Sequence, residues 1–232
     1  MFITDKFAMV HIPKTAGRWV INTLGKFFEY RETFHTKEEI DVPTFTVVRN
    51  PWDWHVSHYE FSLKIHSYDQ SVYKHFETFN LINFKYPNNI EFDEYLNFYN
   101  LLDQQTKNDF WNTHNRRRTD DSIHKTLGYL VLNWLNNNKS FYETQIDYYT
   151  NGCDYIARFE NLREDVKTFL SMHNLLTDEI SHALDTTPPV WVTNENDETD
   201  YREYYNEETK LIVQNGNKNM IEKFGYTFEG VK

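Results

Sequence analysis

The segment Phe7-Ala-Met-Val-His-Ile-Pro-Lys14-Thr15-Ala16-Gly17 constrains the chain more than any other. A short apolar run meets a turn of small residues that carries one lysine, and an amphipathic stretch follows from Arg18. A strand that turns directly into a helix N-terminus gathers unpaired backbone N–H groups in one concavity, where the helix dipole also favours negative charge. Lys14 supplies a mobile cation, Thr15 a hydroxyl, and Ala16 and Gly17 allow close approach of the backbone. The pattern predicts an anion cradle. It lacks the first glycine and the Gly-Lys-Ser/Thr ending of the nucleotide loop G-x-x-x-x-G-K-[ST], which disfavours an ATP or GTP site. The bland alternative is a Pro-containing turn whose lysine is merely solvated.

A second segment repeats the arrangement. Thr44-Phe-Thr-Val-Val48 is β-branched and aromatic, reads as a buried strand, and ends in Arg49-Asn50-Pro51, after which Trp52 to Ile65 has helical spacing. Arg49 stands at the carboxyl end of its strand, and Ser57 lies about two helical turns further on, a spacing at which both side chains can converge on a second anionic group. Ligands of open α/β sheets bind outside the carboxyl ends of the strands, so the two turns are expected to open onto one crevice.

Periodicity predicts strands at 7–11, 44–48 and 154–158, and helices at 18–29, 52–66, 91–101, 121–136, 160–170 and 207–224. The 121–136 helix rests on Ile123, Leu127, Leu130, Val131 and Trp134, and the 160–170 helix has a face of Leu162, Val166, Phe169 and Leu170. Strands alternating with helices imply right-handed crossovers and an α/β fold, with a central, mostly parallel sheet between helical layers, α/β/α. With no repeat and no compositional break, residues 1–232 read as a single domain, and about 66–140 as a mainly helical insertion. Residues 186–200 carry the turn residues of a long loop.

Composition narrows the function. The net charge of −11 argues against a nucleic-acid interface, because binding a phosphate backbone requires a basic stripe. The local exception is Arg116-Arg117-Arg118 with His124 and Lys125 nearby, either a solvated face or a surface that steers an anion. Aromatic residues reach 17%, against only 7 glycines, which excludes a disordered chain. Cys153 is the single cysteine, so no internal disulfide forms and a reducing compartment is the simpler expectation. There is no basic-apolar-small leader pattern and no run of eighteen apolar residues, which leads us to expect a soluble cytoplasmic protein of a microbe or virus without a membrane segment.

These residues resemble a known family. His11-Ile-Pro-Lys-Thr-Ala-Gly17 looks like the 5′-phosphosulfate loop of the sulfotransferases, in particular the Golgi carbohydrate 2-O-sulfotransferase-like branch and its bacterial and viral relatives. Val48-Arg49-Asn50-Pro51-Trp52-Asp53-Trp54-His55-Val56-Ser57-His58-Tyr59 resembles their 3′-phosphate motif, Arg-[Asn/Asp]-Pro-x-x-Arg-x-x-Ser-x-Tyr. Gln145, the run Asp154-Tyr-Ile-Ala-Arg-Phe159-Glu160-Asn161-Leu162, and the tail from Tyr201-Arg-Glu-Tyr-Tyr to Phe224-Gly-Tyr-Thr-Phe228 follow the later blocks of that family in order. Residues from about 66 to 140 match none of its blocks.

The resemblance implies a P-loop-type fold and transfer of a sulfuryl group from 3′-phosphoadenosine 5′-phosphosulfate (PAPS) to a hydroxyl or amine, with a carbohydrate as the favoured acceptor. No metal is required if Lys14 and backbone amides supply the charge. Carried over by position, Lys14 contacts the bridging and sulfuryl oxygens, and the turn formed by Pro13, Lys14, Thr15, Ala16, Gly17, Arg18 and Trp19 holds the 5′-phosphate. Arg49 and Ser57 hold the 3′-phosphate, and Arg202 reaches it from the late loop, where Asn194 matches a common asparagine. His35 occupies the stretch between the first helix and the second strand where carbohydrate-type relatives carry their catalytic histidine, with Glu32 as the weaker base. His11 reads as a residue that orients the turn, and His55 and His58 as packed or solvated.

Two positions depart from the pattern. Arg18-Trp19 replaces the usual Thr-Ser, so two hydroxyl contacts are lost, although Arg18 is able to substitute bidentately if it is not simply solvated. Trp54 replaces an arginine and is expected in the core rather than stacked on adenine. Trp191 is open between ligand contact and plain anchoring. Two rivals stand beside the sulfotransferase: a P-loop-type kinase, and a non-catalytic scaffold that retains the nucleotide crevice.

Overall fold

Phe45, Val47 and Val48 are completely or almost completely buried, and Thr46 between them is buried too. A strand covered on both faces belongs inside a parallel sheet. The computed structural model describes residues 1–33, 40–67, 91–100, 130, 133, 134, 136–189 and 200–231. In it, β1 (Phe2–Ile3), β2 (Ala8–Val10), β3 (Arg31–Glu32), β4 (Thr44–Val48) and β5 (Tyr155–Arg158) form one sheet in the order β3-β1-β2-β4-β5. The protein is thus α/β. β4 pairs in parallel with β2 on one side, Met9 opposite Phe45, and with β5 on the other, Val48 opposite Arg158.

The sheet is mixed rather than mostly parallel, since β1 pairs antiparallel with both β2 and β3. The difference arises at residues 1–6, which form half of a hairpin. Thr4 makes the turn: its N–H bonds Phe7 O at 2.9 Å, and its hydroxyl oxygen accepts from Lys6 N at 3.1 Å and Phe7 N at 3.0 Å. Phe2 is fully buried against Phe7 and Tyr30. At the other edge, Asp154 accepts from the N–H and hydroxyl of Thr44 at 2.8 and 3.0 Å and joins the start of β5 to β4. Those bonds hold its carboxyl below the usual carboxylate range.

Two compact units contain the described residues: Met1–Arg49 with Ile146–Val192, and Asn50–Gln145 with Thr193–Lys232. In the first, helices α1 (Gly17–Leu24), α5 (Leu162–Met172) and α6 (Asp178–Thr186) share one core with the sheet. Helix α1 contributes Trp19, Val20, Ile21 and Leu24, and α5 contributes Val166, Phe169 and Leu170. Phe169 lies 4.6 Å from Phe45 and 5.9 Å from Phe7, ring to ring. Helix α1 stops earlier than its apolar spacing predicts, with Gly25 as its C-cap, whose N–H still bonds Ile21 O at 2.8 Å. The predicted 160–170 helix begins with a 3-10 turn, Phe159–Asn161.

In the second unit, α2 (Pro51–Ser67) starts with proline in the first turn, and Asn50 Oδ1 accepts from Trp52 N at 3.0 Å. Helix α3 is Phe92–Tyr99, and α4 (Phe141–Thr150) carries residues of both units. The predicted closing helix is two helices, α7 (Glu207–Gly216) and α8 (Lys218–Phe224). Buried polar groups cause the break. Ser140 N bonds Gly216 O at 2.6 Å, and Asn217, fully buried, donates to Asn100 Oδ1 at 3.2 Å. The carboxylate of Glu143 then accepts from Asn219 N and Met220 N at the start of α8. β6 (Tyr226–Thr227) and β7 (Gly230–Val231) form a separate ribbon. No helix among the described residues is long and apolar enough to cross a membrane.

Candidate functional site

The turn from Ile12 to Gly17 links the carboxyl end of β2 to the first residue of α1. Lys14 and Ala16 both have φ of 65°, the left-handed conformation that a side chain disfavours. Such residues cost on the order of 1–3 kcal/mol each and persist where surrounding structure imposes them, commonly at ligand sites. Thr15 is buried, and its hydroxyl donates to Ile12 O at 2.8 Å, so it staples the turn. Ala16 caps α1 through its carbonyl, which accepts from Trp19 N at 3.0 Å and Val20 N at 3.2 Å. The N–H groups of Gly17 and Arg18 meet no acceptor among the described residues. They are the donors that an anion at this end of α1 would find.

Gly17 is required by its neighbour. A Cβ at this position would lie 2.1 Å from His11 Cδ2 and 2.2 Å from Nε2. The imidazole therefore fills the space where a larger residue would place its side chain, which agrees with the orienting role read for His11. Gly17→Ala is expected to lower stability by about 1–3 kcal/mol through overpacking. His11→Ala in the same background should recover part of that loss, as read from thermal denaturation of the parent and the two variants.

Arg49 follows β4, the strand next to β2. Its Nη1 donates to Lys14 O at 3.0 Å, and its guanidinium carbon lies 4.1 Å from the centroid of Phe159. Phe159 follows β5 as Arg49 follows β4, so the ends of three adjacent parallel strands meet at the turn. Phe159 had no role in the sequence reading beyond its place in a matching block. Its signal was positional: it is the first residue after a strand, as Arg49 is after the neighbouring one.

Arg18 and Trp19 have separate tasks. Arg18 is exposed and pairs with Glu32, the weaker base candidate, at 3.3 Å. Trp19 is buried in the core, its ring N–H donates to Thr187 O at 3.3 Å, and its backbone N–H is used by Ala16 O. Trp19 thus anchors α1 and lends the turn no donor. Pro13 is buried within the turn. His35 lies outside the described residues, as do Trp191, Asn194 and Arg116 to Arg118.

The second unit holds the remaining predicted residues. Ser57 is half-buried on α2. Arg202 is half-exposed, 3.4 Å from Asp200 and 3.7 Å from Glu229, with its guanidinium over the Tyr201 ring. Trp54 is fully buried, stacked on Tyr142 at 4.1 Å and on His58 at 4.7 Å, so it is core as its sequence context suggested. His55 and His58 are buried as well, and His58 Nδ1 meets the Tyr95 hydroxyl at 3.0 Å.

His55 Nδ1 has no hydrogen-bond partner among the described residues, and burial, assisted by the neighbouring His58, pushes its pKa well below the ordinary value. Unfolding lets His55 take up a proton near its usual pKa of about 6.5, whereas the folded form stays neutral, so stability falls as pH drops below that value. The denaturant midpoint should decrease between about pH 7.5 and pH 5.5, and His55→Gln should flatten that decrease.

Among the described residues no three His, Cys, Asp or Glu side chains are grouped to hold a metal ion. Comparison of the chain with protein-family models, curated proteins and solved structures returns no match.

Proposed function

We propose that the protein is a PAPS-dependent sulfotransferase of P-loop-type α/β/α architecture, acting on a hydroxyl or amine acceptor, with a carbohydrate favoured. One observation carries the reading: a turn with two left-handed non-glycine residues joins β2 to α1 and is bonded through Lys14 O to the arginine that ends the adjacent parallel strand. Strained backbone held between a strand end and a helix N-terminus suits an anionic ligand better than a solvated loop. The order of the matching sequence blocks then favours a phosphosulfate over a nucleoside triphosphate.

In this reading the Gly17 and Arg18 N–H groups and the α1 dipole bind the 5′-phosphate, and Lys14 Nζ balances charge on the sulfuryl and bridging oxygens. The acceptor oxygen or nitrogen forms a bond to sulfur as the bond from sulfur to the phosphate oxygen breaks. Negative charge develops on the departing 5′-phosphate of adenosine 3′,5′-bisphosphate, and in this reading Lys14 and the amides stabilise it. The acceptor's proton passes to a general base, a role the resemblance gives to His35. Arg49, Ser57 and Arg202 serve the 3′-phosphate by the same resemblance. Cytoplasmic residence is part of this reading and accords with a sequence whose single cysteine, Cys153, can form no internal disulfide.

The test is calorimetric titration with adenosine 3′,5′-bisphosphate beside adenosine 5′-monophosphate, without added metal. Tighter binding of the bisphosphate is expected. Thermal protection by ATP with Mg²⁺ alone would favour the kinase, and no response to any of the three would leave a scaffold and end the enzyme assignment.

A further inference from the structure

We infer that Arg49 is a positioning residue for the anion loop, acting through the Lys14 carbonyl with Phe159 as its platform. The inference rests on the proposed function for its ligand but on geometry alone for its action. A left-handed Lys14 needs something to hold it, because the right-handed and extended alternatives are lower in energy for a residue with a Cβ. Turning the Lys14 peptide back would carry its carbonyl away from Arg49 Nη1, which it meets at 3.0 Å. A charged donor makes that bond stronger than a neutral one. Phe159 lies against the guanidinium at 4.1 Å and limits the planes it can adopt, so the donor stays aimed at the carbonyl. The arginine comes from β4 and the platform from the end of β5, both neighbours in a parallel ladder whose register is set by Val48 opposite Arg158. The sheet thus holds the loop from outside, beside the local staple from Thr15 to Ile12.

This role makes a prediction that a phosphate contact alone does not. If Arg49 served only a 3′-phosphate, its loss would leave a ligand without that group unaffected. A positioning residue affects every ligand the loop binds.

The experiment measures two quantities on the full chain for the parent, Arg49→Ala, Arg49→Lys and Phe159→Leu. The first is amide hydrogen exchange of the loop without ligand. The second is the affinity for adenosine 5′-monophosphate and adenosine 3′,5′-bisphosphate. Expected results are faster exchange at Trp19 and Val20, whose N–H groups bond the loop carbonyl of Ala16, in Arg49→Ala, with exchange in the core of the sheet unchanged, and a loss of about tenfold or more in monophosphate affinity. Arg49→Lys retains a donor and should recover part of the loop protection, while Phe159→Leu should lose part of it although it removes no donor. Unchanged loop exchange in Arg49→Ala, or unchanged monophosphate affinity in that variant, would overturn the inference. Should Arg49→Ala fail to fold, Arg49→Lys and Phe159→Leu decide by the same criteria. Faster loop exchange in Arg49→Ala, found together with a parent that binds neither nucleotide, would uphold the positioning role and remove the proposed function instead.

Discussion

Under the proposed function, Lys14→Ala is expected to reduce sulfuryl transfer by about a hundredfold or more while leaving the fold intact, the scale seen when one preorganised stabiliser of a developing charge is removed. The fold survives for a definite reason. Arg49 bonds the main-chain carbonyl of Lys14, which alanine retains, and the staple from the Thr15 hydroxyl to Ile12 O does not use the Lys14 side chain. Alanine carries the same Cβ and the same left-handed strain as lysine, as Ala16 already does two residues on. What disappears is the ammonium group. Transfer of radiolabelled sulfur from PAPS to a panel of carbohydrate and amine acceptors measures the effect, with thermal denaturation as the control. Parent-level transfer in Lys14→Ala would place the developing charge away from this loop.

Trp54→Ala is expected to be the most damaging of the structural changes, costing about 3–5 kcal/mol, the range for truncating a buried aromatic ring. The ring is fully buried, stacked at an interplanar angle of 10° on Tyr142 and 20° on His58, so its removal leaves a cavity walled by two other rings. Offset stacking adds its own contribution to the lost burial. Restoring the arginine found at this point in the resembling motif would be worse, because a guanidinium would enter a dry aromatic slot. Denaturant titration of parent, Trp54→Phe, Trp54→Ala and Trp54→Arg should give midpoints in that falling order. Were Trp54 instead a platform for adenine, the Trp54→Ala midpoint would match the parent and only nucleotide affinity would drop.

Much of the architecture was legible because it depends on near neighbours in the chain. The strand at 44–48 has the predicted bounds, and the apolar face of the 160–170 segment became the buried Val166, Phe169 and Leu170. Asn50-Pro51 announced the start of α2 by cap chemistry that operates within two residues. The hairpin strand β1 was not legible, because two residues have no period. Only the pairing with Met9 and Ala8 makes a strand of them. The closing helix was read as continuous because its apolar spacing runs through Gly216 and Asn217, whereas partners at Asn100, Ser140 and Glu143 end one helix and start the next.

The candidate site divides along the same line. Alternating strands and helices, the small-residue turn with its lysine, and the arginine at the end of the next strand are written in consecutive residues, and with them the α/β class and the anion-binding proposal. Consecutive residues did not contain the left-handed backbone of Lys14 and Ala16, the fit of the His11 ring over Gly17, the pairing of Arg18 with Glu32, or the bond from Arg49 to a carbonyl 35 residues away on a platform from β5. Local propensity and capping act over one turn of chain and can be read there. Strain, close approach and a donor's choice of acceptor depend on which strands lie side by side, and packing of the sheet is what sets that order.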